Sequence, residues 1–366
     1  MDPATRFRLP ASSAAWAESL AGLRPDAASY ADADELWPGG ELDPVALDRR
    51  LRLLDVPADD VEEVLGAGVS FAADPGLREF AARIATAFAR ARAAADAAGD
   101  GSGPDLRTQP GSWASLADRV DTAAADAVRR WGWVLVHAAA LPGLLRWHAD
   151  HGLDPATSEQ TVADVGAQVA AHRRITGAGG LADQEWLVLH ATGRLVRVGR
   201  LQVAVGRAGE ALAVAAGVPV GTGLLDLHVP ATGGAMTPDA CGQSLAAAPG
   251  VVARLHPGLE PALITCTSWL LDDRLATVLP ADSNIRTFAR RFTLLPRAAG
   301  EEPDADIRRF LFTAPSGTDA RDLPRDSSLR RAVADRMAAG DQWWTRSGWA
   351  RLDVPPSATS ASRMEK

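Results

Sequence analysis

Cysteine is scarce in this 366-residue sequence, which contains only Cys241 and Cys266, so no disulfide framework is expected. Basic residues are also few: 38 of them accompany 46 acidic residues, and the net charge is −8. This balance argues against binding to nucleic acid or docking on an anionic membrane. No apolar run approaches the about 18 residues of a membrane span, and the first residues lack a signal-peptide pattern. These absences predict a soluble cytoplasmic protein.

Several catalytic motifs are missing as well. The sequence contains no Walker loop, no G-x-S-x-G elbow, no H-E-x-x-H helix and no CxxC pair. His148 and His151 stand three residues apart, but no third ligand accompanies them, and a polar helix end explains both. The sequence therefore gives little support to a hydrolase, a phosphotransferase or a zinc enzyme, and it predicts no metal site.

The first half of the chain carries helical patterns. Asp43–Pro44 and Asp74–Pro75 are each typical of an N-cap followed by the first helical residue. Thr157, with Gln160 three residues later, resembles a capping box, and Gly177 follows as a stop signal. These signals predict a region built of several helices.

Two interruptions are expected within this helical half. Residues 99–112 contain four glycines and two prolines with almost no apolar residue, a composition typical of a mobile connection. From Trp113 to His151 the pattern is helical again, and a break is predicted at Leu141–Gly143 because of the proline and the glycine.

After about residue 180 the apolar residues alternate, as they do in β-strands. The predicted strands cover residues 195–205, 223–230, 262–271 and 308–313, and the predicted helices cover residues 238–252 and 283–292. The stretch at 262–271 is apolar on both faces and is expected at the centre of the sheet. The sequence thus predicts an α+β protein, with a helical N-terminal domain before a mixed β-sheet domain with flanking helices, and a disordered tail at 354–366.

Six stretches carry a resemblance to a known family. They are GRLQV at 199–203, LHVP at 227–230, TPDACGQS at 237–244, CTSWLLDDRL at 266–275, SNIRTF at 283–288 and LPRDSSLRRA at 323–332. They resemble bacterial acyltransferase-domain proteins, which join a helical N-acyltransferase N-terminal domain to a GNAT-like C-terminal domain. The order of the predicted strands, glycine-containing loop and helices is similar to the GNAT core. The resemblance implies a helical domain over 1–175 and a GNAT-like domain over 176–353.

This resemblance implies an activity. GNAT proteins pass an acyl group from acyl-CoA directly to an amine, so acetyl-CoA or another acyl-CoA is the expected co-substrate and a small molecule is the expected acceptor. In such proteins the CoA pyrophosphate lies on backbone N–H groups at a helix N-terminus. The topologically equivalent loop here is Ala231–Thr237. The implied cofactor-binding residues are Gly233, Gly234, Ala235, Met236 and Thr237.

The loop departs from the family pattern, because Q/R-x-x-G-x-G/A is not present and no Arg or Gln stands at its start. An alternative therefore stays open: a non-catalytic binding or regulatory protein on a GNAT-like scaffold. A loop that presents free N–H groups to an open groove would favour the enzyme. A groove filled by Met236 or Trp269 would favour the alternative. Neither hypothesis fixes the oligomeric state.

His228 is the first catalytic candidate. On its predicted strand Leu225, Leu227 and Val229 form the apolar face, so Asp226 and His228 share the other face. A carboxylate beside an imidazole holds its tautomer or raises its basicity, which suits a general base that accepts a proton from an amine. The alternative is that both side chains only form hydrogen bonds with the neighbouring loop and helix.

Four further residues complete the candidate site. Ser268 is expected to polarise the thioester carbonyl or to donate to the leaving thiolate, whereas Cys266 on the same face is expected to be a small buried hydrophobe. Arg200 and Gln202 project together from one strand and are candidates for the acceptor site, although an ordinary half-exposed strand also carries such residues. Asn284, at a helix start, is a candidate contact for pantetheine or substrate, and capping of that helix is the alternative.

Overall fold

The chain forms helices in its first half and a sheet with flanking helices in its second. In this computed structural model, the structure describes residues 27–102, 122–181, 184–297, 302–315 and 317–352. The helices before the sheet are α1 (Ala27–Asp34), α2 (Pro44–Leu53), α3 (Ala58–Ala73), α4 (Pro75–Ala98), α5 (Thr122–Asp150), α6 (Pro155–Val162), α7 (Asp164–Thr176) and α8 (Gln184–Ala191).

The second half contains the strands. Its elements are β1 (Leu195–Val198), β2 (Leu201–Arg207), α9 (Glu210–Ala216), β3 (Gly223–His228), α10 (Pro238–Leu255), β4 (Pro261–Ser268), α11 (Asn284–Ala289), β5 (Thr293–Leu294), α12 (Ala305–Phe310), α13 (Ser328–Ala338) and β6 (Arg346–Arg351). Short 3-10 helices lie at Pro38–Gly40, Trp269–Leu271, Asp273–Thr277 and Ala320–Asp322. Within the described ranges, no helix is long and apolar enough to cross a membrane.

Side chains at the helix ends explain where several helices begin and stop. Asp43 and Asp74 accept hydrogen bonds from the first free N–H groups of α2 and α4, as the Asp–Pro pairs predict. The predicted cap at Thr157 is wrong, because the Asp154 side chain accepts from the Thr157 N–H and the helix begins two residues earlier. Gly177 follows the last residue of α7 with a φ of 77°, a conformation that favours glycine.

Helix α5 runs through Pro142 without a break, so the predicted interruption at Leu141–Gly143 is wrong. Proline has no N–H, and the carbonyl of Ala138 one turn earlier therefore lacks its usual helical partner. The Arg50 guanidinium of α2 donates to that carbonyl at 3.0 Å in a buried position. The helix continues because a side chain from a neighbouring helix replaces the missing hydrogen bond.

The segment that follows α4 contacts the second half of the chain. Gly99 ends α4 with a φ of 71°, and its carbonyl accepts a hydrogen bond from the Gly258 N–H. Asp100 forms an ion pair with Arg207 at the end of β2. The first residues of the stretch expected to be mobile thus have defined contacts, and residues 103–112 lie outside the described part of the chain.

The sheet has the strand order β1-β2-β3-β4-β6-β5, with β3 and β4 parallel and the other neighbours antiparallel. Strands β1 and β2 form a hairpin at Gly199 (φ 57°), so the stretch predicted at 195–205 is two strands. The parallel pairing ends at Leu227–Cys266, although β3 continues to His228 and β4 to Ser268. The carboxyl ends of these two strands are therefore unpaired with each other.

The late part of the sheet differs from the prediction. The strand expected at 308–313 is wrong, because this stretch lies in and after helix α12. Burial does not alternate there: Phe310 is 58% exposed, whereas Phe312 two residues later is buried. The central strand predicted to Leu271 ends at Ser268 and continues as a 3-10 helix. Strands β5 and β6 were not predicted, and β6 (RSGWAR) lacks the β-branched residues that mark strands.

The two faces of the sheet differ in character. One face packs on α10 in a core cluster that continues into the helical half. Its members from the sheet and from α10 include Val203, Leu225, Leu227, Ile264, Cys266, Cys241, Ala248 and Val252. The opposite face carries Gln202, Asp226, His228 and Thr265. The predicted α+β class, with helices before a mixed sheet, is confirmed, and the tail at 354–366 lies outside the described residues.

Candidate active site

His228 and Asp226 lie two residues apart on β3, and their side chains meet on one face of the sheet. The distance from His228 Nε2 to Asp226 Oδ2 is 3.1 Å. Thr265, the register partner of Asp226 on β4, donates its hydroxyl to Asp226 Oδ1 at 2.7 Å. The side chains of His228 and Asp226 are 22% and 33% exposed. The structure thus brings the two predicted residues together and adds a third that holds the carboxylate.

The geometry of this pair defines the free nitrogen of the imidazole. The Asp226 carboxylate beside Nε2 favours the proton on that nitrogen and leaves the lone pair on His228 Nδ1. No hydrogen bond joins Nδ1 to any group in the described ranges. An imidazole with one nitrogen beside a carboxylate and the other one free is the arrangement of a general base.

Helix α8 covers the same face and adds two aromatic side chains. The Trp186 ring stands edge-on to His228, with ring centroids 4.5 Å apart and an interplanar angle of 72°. His190 Nε2 is 3.4 Å from the amide of Gln202, which lies opposite His228 on β2. The Asp164 carboxylate accepts from Trp186 Nε1 at 3.0 Å. The helical half therefore forms one wall around His228.

The glycine-containing loop follows directly from the end of β3. Gly233 and Gly234 have φ values of 93° and 82°, which other residues rarely adopt. Residues 231–235 are exposed, and in the described structure no protein group accepts a hydrogen bond from the N–H groups of Gly233 to Met236. The Thr237 hydroxyl then caps α10 by accepting from the Ala240 N–H. The loop thus presents free backbone donors beside a helix N-terminus.

Three arginines hold this loop from its inner side. Arg197 Nη2 donates to the Thr232 carbonyl at 3.1 Å, and Arg200 Nη1 donates to the Pro230 carbonyl at 3.0 Å. Arg291 Nη2 lies 3.5 Å from the carbonyl of Pro238, the first residue of α10. Each of these guanidinium groups thus satisfies a backbone carbonyl in or next to the loop. Burial lowers the pKa of Arg200, which nevertheless remains charged at pH 7.

Met236 and Trp269 are both partly buried. Met236 packs against the main core cluster. Trp269 packs with Leu275 and Val333 in a second cluster. Of the features expected of an enzyme, the structure describes the loop with its free N–H groups.

The remaining candidates are dispersed. Ser268 accepts a hydrogen bond from the Leu270 N–H at 3.2 Å and caps a 3-10 helix, on the opposite face from His228. Cys266 is 1% exposed, and burial raises the pKa of its thiol. Asn284 is the first residue of α11 and is exposed, whereas Ser283 supplies the cap. Neither Ser268 nor Asn284 is in contact with the His228–Asp226 pair.

Arg200 and Gln202 have different surroundings. Arg200 lies in the hairpin turn, where its side chain contacts the loop that follows β3. Gln202 is 2% exposed and contacts His190 beside His228. Gln202 is thus the register partner of His228, whereas Arg200 holds the loop after β3.

Sequence reasoning did not identify Thr265, Trp186, Asp164 or Arg197 as parts of the site. Thr265 had a local signal, because it alternates with Cys266 and shares a strand face with Thr267. Trp186 and Asp164 had none: Trp186 contacts His228 from a helix about 40 residues before it in the chain, and Asp164, about 60 residues before His228, contacts Trp186. Within the described ranges, no group of three or more His, Cys, Asp or Glu residues is placed to hold a metal ion.

Comparisons with known proteins define the class. The model of an N-acyltransferase N-terminal domain matches residues 45–193, and that of a GNAT-like C-terminal domain matches residues 195–350. The chain belongs to the family of acyltransferases that combine these two domains, as the sequence predicted. The GNAT-like fold class is likewise confirmed. Among curated proteins, no sequence matches the chain.

Solved structures of similar acyltransferases extend this assignment. An acyltransferase in complex with decanoyl-CoA and teicoplanin is 31% identical, with a TM-score of 0.73, over 96% of this chain and 100% of that chain. An acyltransferase with CoA and 10C-teicoplanin is 32% identical, and so is an acyltransferase mutant with octanoyl-CoA. Both have a TM-score of 0.72 and the same coverage. The predicted function class, acyl transfer from acyl-CoA, is confirmed at the level of this family.

Proposed function

We propose that this protein transfers an acyl group from acyl-CoA to an amine of a small-molecule acceptor, with His228 as the general base. The observation that carries the proposal is the His228–Asp226 pair at the carboxyl end of β3. It lies beside the unpaired ends of β3 and β4 and directly before a loop with free N–H groups. A base, an opening and an anion-binding loop therefore meet at one edge of the sheet.

The chemistry follows from the free nitrogen of the base. His228 Nδ1 accepts a proton from the acceptor amine as its nitrogen attacks the thioester carbonyl carbon. Asp226 stabilises the imidazolium that forms, and Thr265 keeps the carboxylate in position. The tetrahedral intermediate then loses its C–S bond, and the CoA thiolate takes up a proton. The products are one amide and one free thiol.

The loop and α10 are suited to the CoA pyrophosphate. The free N–H groups of Gly233 to Met236 and the N-terminus of an 18-residue helix favour a negative charge. Arg200 Nε and Arg291 Nη1 are buried and have no hydrogen-bond partner among the described residues, so each retains a donor. The positive charge of these two arginines, which lie next to the loop and the start of α10, favours a bound anion as well.

The similar structures suggest the substrates. They contain decanoyl-CoA, octanoyl-CoA and teicoplanin, so the proposal includes a medium-chain acyl donor and an acceptor of the size of teicoplanin. Both cysteines are unpaired and buried, which agrees with the cytoplasmic location that forms part of the proposal.

The direct test is a thiol-release assay. The purified protein is mixed with acetyl-, octanoyl- or decanoyl-CoA and with teicoplanin or simpler amines, and product masses are measured in parallel. The expected result is one free CoA thiol for each acyl group gained by the acceptor, with faster release from the longer donors. Tight binding of acyl-CoA without thiol release from any donor would instead support the non-catalytic scaffold.

A further inference from the structure

Asp164 is a buried carboxylate outside the His228–Asp226 pair. It is the first residue of α7 and is 5% exposed. Its Oδ2 accepts from Trp186 Nε1 at 3.0 Å and from Gln168 Nε2 at 3.4 Å, and it lies 3.4 Å from His190 Nε2. A buried carboxylate requires such donors, because leaving it unpaired is costly. One oxygen of the helical half thus orients two ring side chains of α8.

Both rings lie close to the proposed base. Trp186 stands edge-on to His228 at 4.5 Å between ring centroids. His190 Nε2 lies 3.4 Å from the Gln202 amide, and Gln202 is directly opposite His228 in the β2–β3 register. The same carboxylate is thus linked to the imidazole directly through Trp186 and to its register partner through His190.

The charges around His190 determine its tautomer. Burial lowers the pKa of His190, and the Asp164 carboxylate and the Trp186 carbonyl oppose this effect less strongly. The charge of His228 acts in the same direction as burial. His190 is therefore neutral at pH 7 and carries one proton. The carboxylate beside Nε2 favours that proton on Nε2. The structure places Gln202 Nε2 at 3.4 Å from this nitrogen, and the assignment requires the amide to be turned so that its oxygen accepts there.

We propose that Asp164 is a positioning residue, which acts on His228 through Trp186 and through His190 with Gln202. The proposal rests on the acyl-transfer function given above, and it deepens that function by assigning a task to the helical half. The helical half then orients the base, in addition to forming one wall of the site. Asp164 itself touches neither substrate nor the reacting atoms in this scheme.

Nuclear magnetic resonance of the full-length protein at pH 7 tests the contacts without an activity assay. In the wild type the His190 ring ¹⁵N signals are expected to show a protonated Nε2, and the Trp186 indole N–H signal is expected downfield because of its carboxylate partner. In Asp164→Asn the indole signal moves upfield. A wild-type His190 with an unprotonated Nε2 would overturn the proposal.

Kinetics test the consequence for the base. Asp164→Asn is expected to lower kcat about tenfold, the effect of one lost hydrogen bond to a charged group, while the KM for decanoyl-CoA stays unchanged. Trp186→Phe keeps a ring but removes the donor, and it should lower kcat in the same way. If Asp164→Asn does not fold, Trp186→Phe decides alone. Gln168→Ala is the matched control, because Gln168 contacts the same oxygen but leads to no active-site residue.

The double variant gives the strictest outcome. If Asp164 acts through Trp186, the Asp164→Asn and Trp186→Phe effects on kcat are less than additive. Wild-type kcat in both single variants, or the same loss in Gln168→Ala, would contradict the positioning role. Absence of acyl transfer by the wild-type protein would instead overturn the proposed function, and the nuclear magnetic resonance result separates these two failures.

Discussion

The two faces of the same strands have different tasks. On the face that packs on α10, Leu225, Leu227 and Cys266 are at most 1% exposed and belong to the main core cluster. On the opposite face, Asp226 and His228 are partly exposed and joined at 3.1 Å. Because side chains alternate along a strand, neighbouring residues of β3 serve stability and chemistry in turn. The apolar face therefore holds in place the backbone that orients the polar face.

The two faces of the sheet are covered by different parts of the chain. The apolar face is closed by α10, which follows β3 directly in the chain. The polar face is closed by α8 and by Asp164 of α7, which come from the helical half. The apolar face is thus covered by the helix that follows it in the chain, whereas the surroundings of the base depend on distant segments.

Asp226→Asn is expected to have the largest effect. The amide no longer holds the proton on Nε2 as a carboxylate does, so kcat/KM for acyl transfer should fall by roughly 100-fold or more. The unfolding free energy should change little, because Asp226 is partly exposed. Steady-state kinetics and denaturant unfolding check both statements. Thr265→Val is the milder companion, and a larger loss there than in Asp226→Asn would contradict the assigned order of roles.

Leu227→Ala tests the apolar face of the sheet. Leu227 is fully buried in the main core cluster, so the truncation should lower the unfolding free energy by about 2–5 kcal/mol. Turnover measured well below the melting temperature should stay within a few-fold of the wild type. Urea titration gives the stability, and the same thiol-release assay gives the activity. Loss of turnover with unchanged stability would show that the two faces are not separable in this way.

His148, in the helical half, is expected to make the stability of the protein depend on pH. It is buried, it lies 2.7 Å from the Ser158 hydroxyl, and burial, aided by nearby Arg92, lowers its pKa to about 4. Below about pH 6.5 the unfolded chain protonates this residue, while the folded protein does so only near pH 4. The contribution of His148 to the unfolding free energy is therefore fully present above pH 6.5, and on the order of 3 kcal/mol of it is lost as the pH falls to 4.

The variant His148→Gln isolates this contribution. It keeps a hydrogen-bonding group near Ser158 but removes the titration, so its stability should depend less on pH between 6.5 and 4 than that of the wild type. Chemical unfolding at several pH values measures the slope. Parallel curves for the two proteins would refute the role of His148.

Gly233→Ala, in the loop Ala231–Thr237 proposed to bind CoA, has the smallest expected effect. The position has a φ of 93°, and an added Cβ would approach Arg197 Nη2 within 2.0 Å. Strain and displacement of the arginine should weaken acyl-CoA binding by roughly five- to tenfold. Calorimetric titration with decanoyl-CoA measures the change. Gly242→Ala in α10, where nothing lies within 4 Å of the new Cβ, is the control and should bind like the wild type.

Local patterns predicted much of the fold and the central pair of the candidate site. Aspartates before proline marked the starts of α2 and α4, and the alternation along β3 placed Asp226 and His228 on one face. The division between domains at residues 175 and 176 stays a prediction.

Features that depend on distant contacts were not predictable. The continuity of α5 depends on Arg50, which satisfies the carbonyl that Pro142 leaves free. Strand β6 has a polar sequence and is held by pairing on both sides. Trp186 and Asp164 join the site only through the packing of helices on the sheet, and no residue near them in sequence signals this.

The most direct test of the central claim compares wild-type protein with His228→Ala in one experiment, using decanoyl-CoA and an amine acceptor. The account predicts that the variant binds decanoyl-CoA with the wild-type Kd but releases thiol at least 100-fold more slowly, because only the base is missing. His172→Ala, a half-buried histidine outside the site, should match the wild type. Full turnover by His228→Ala would contradict the account.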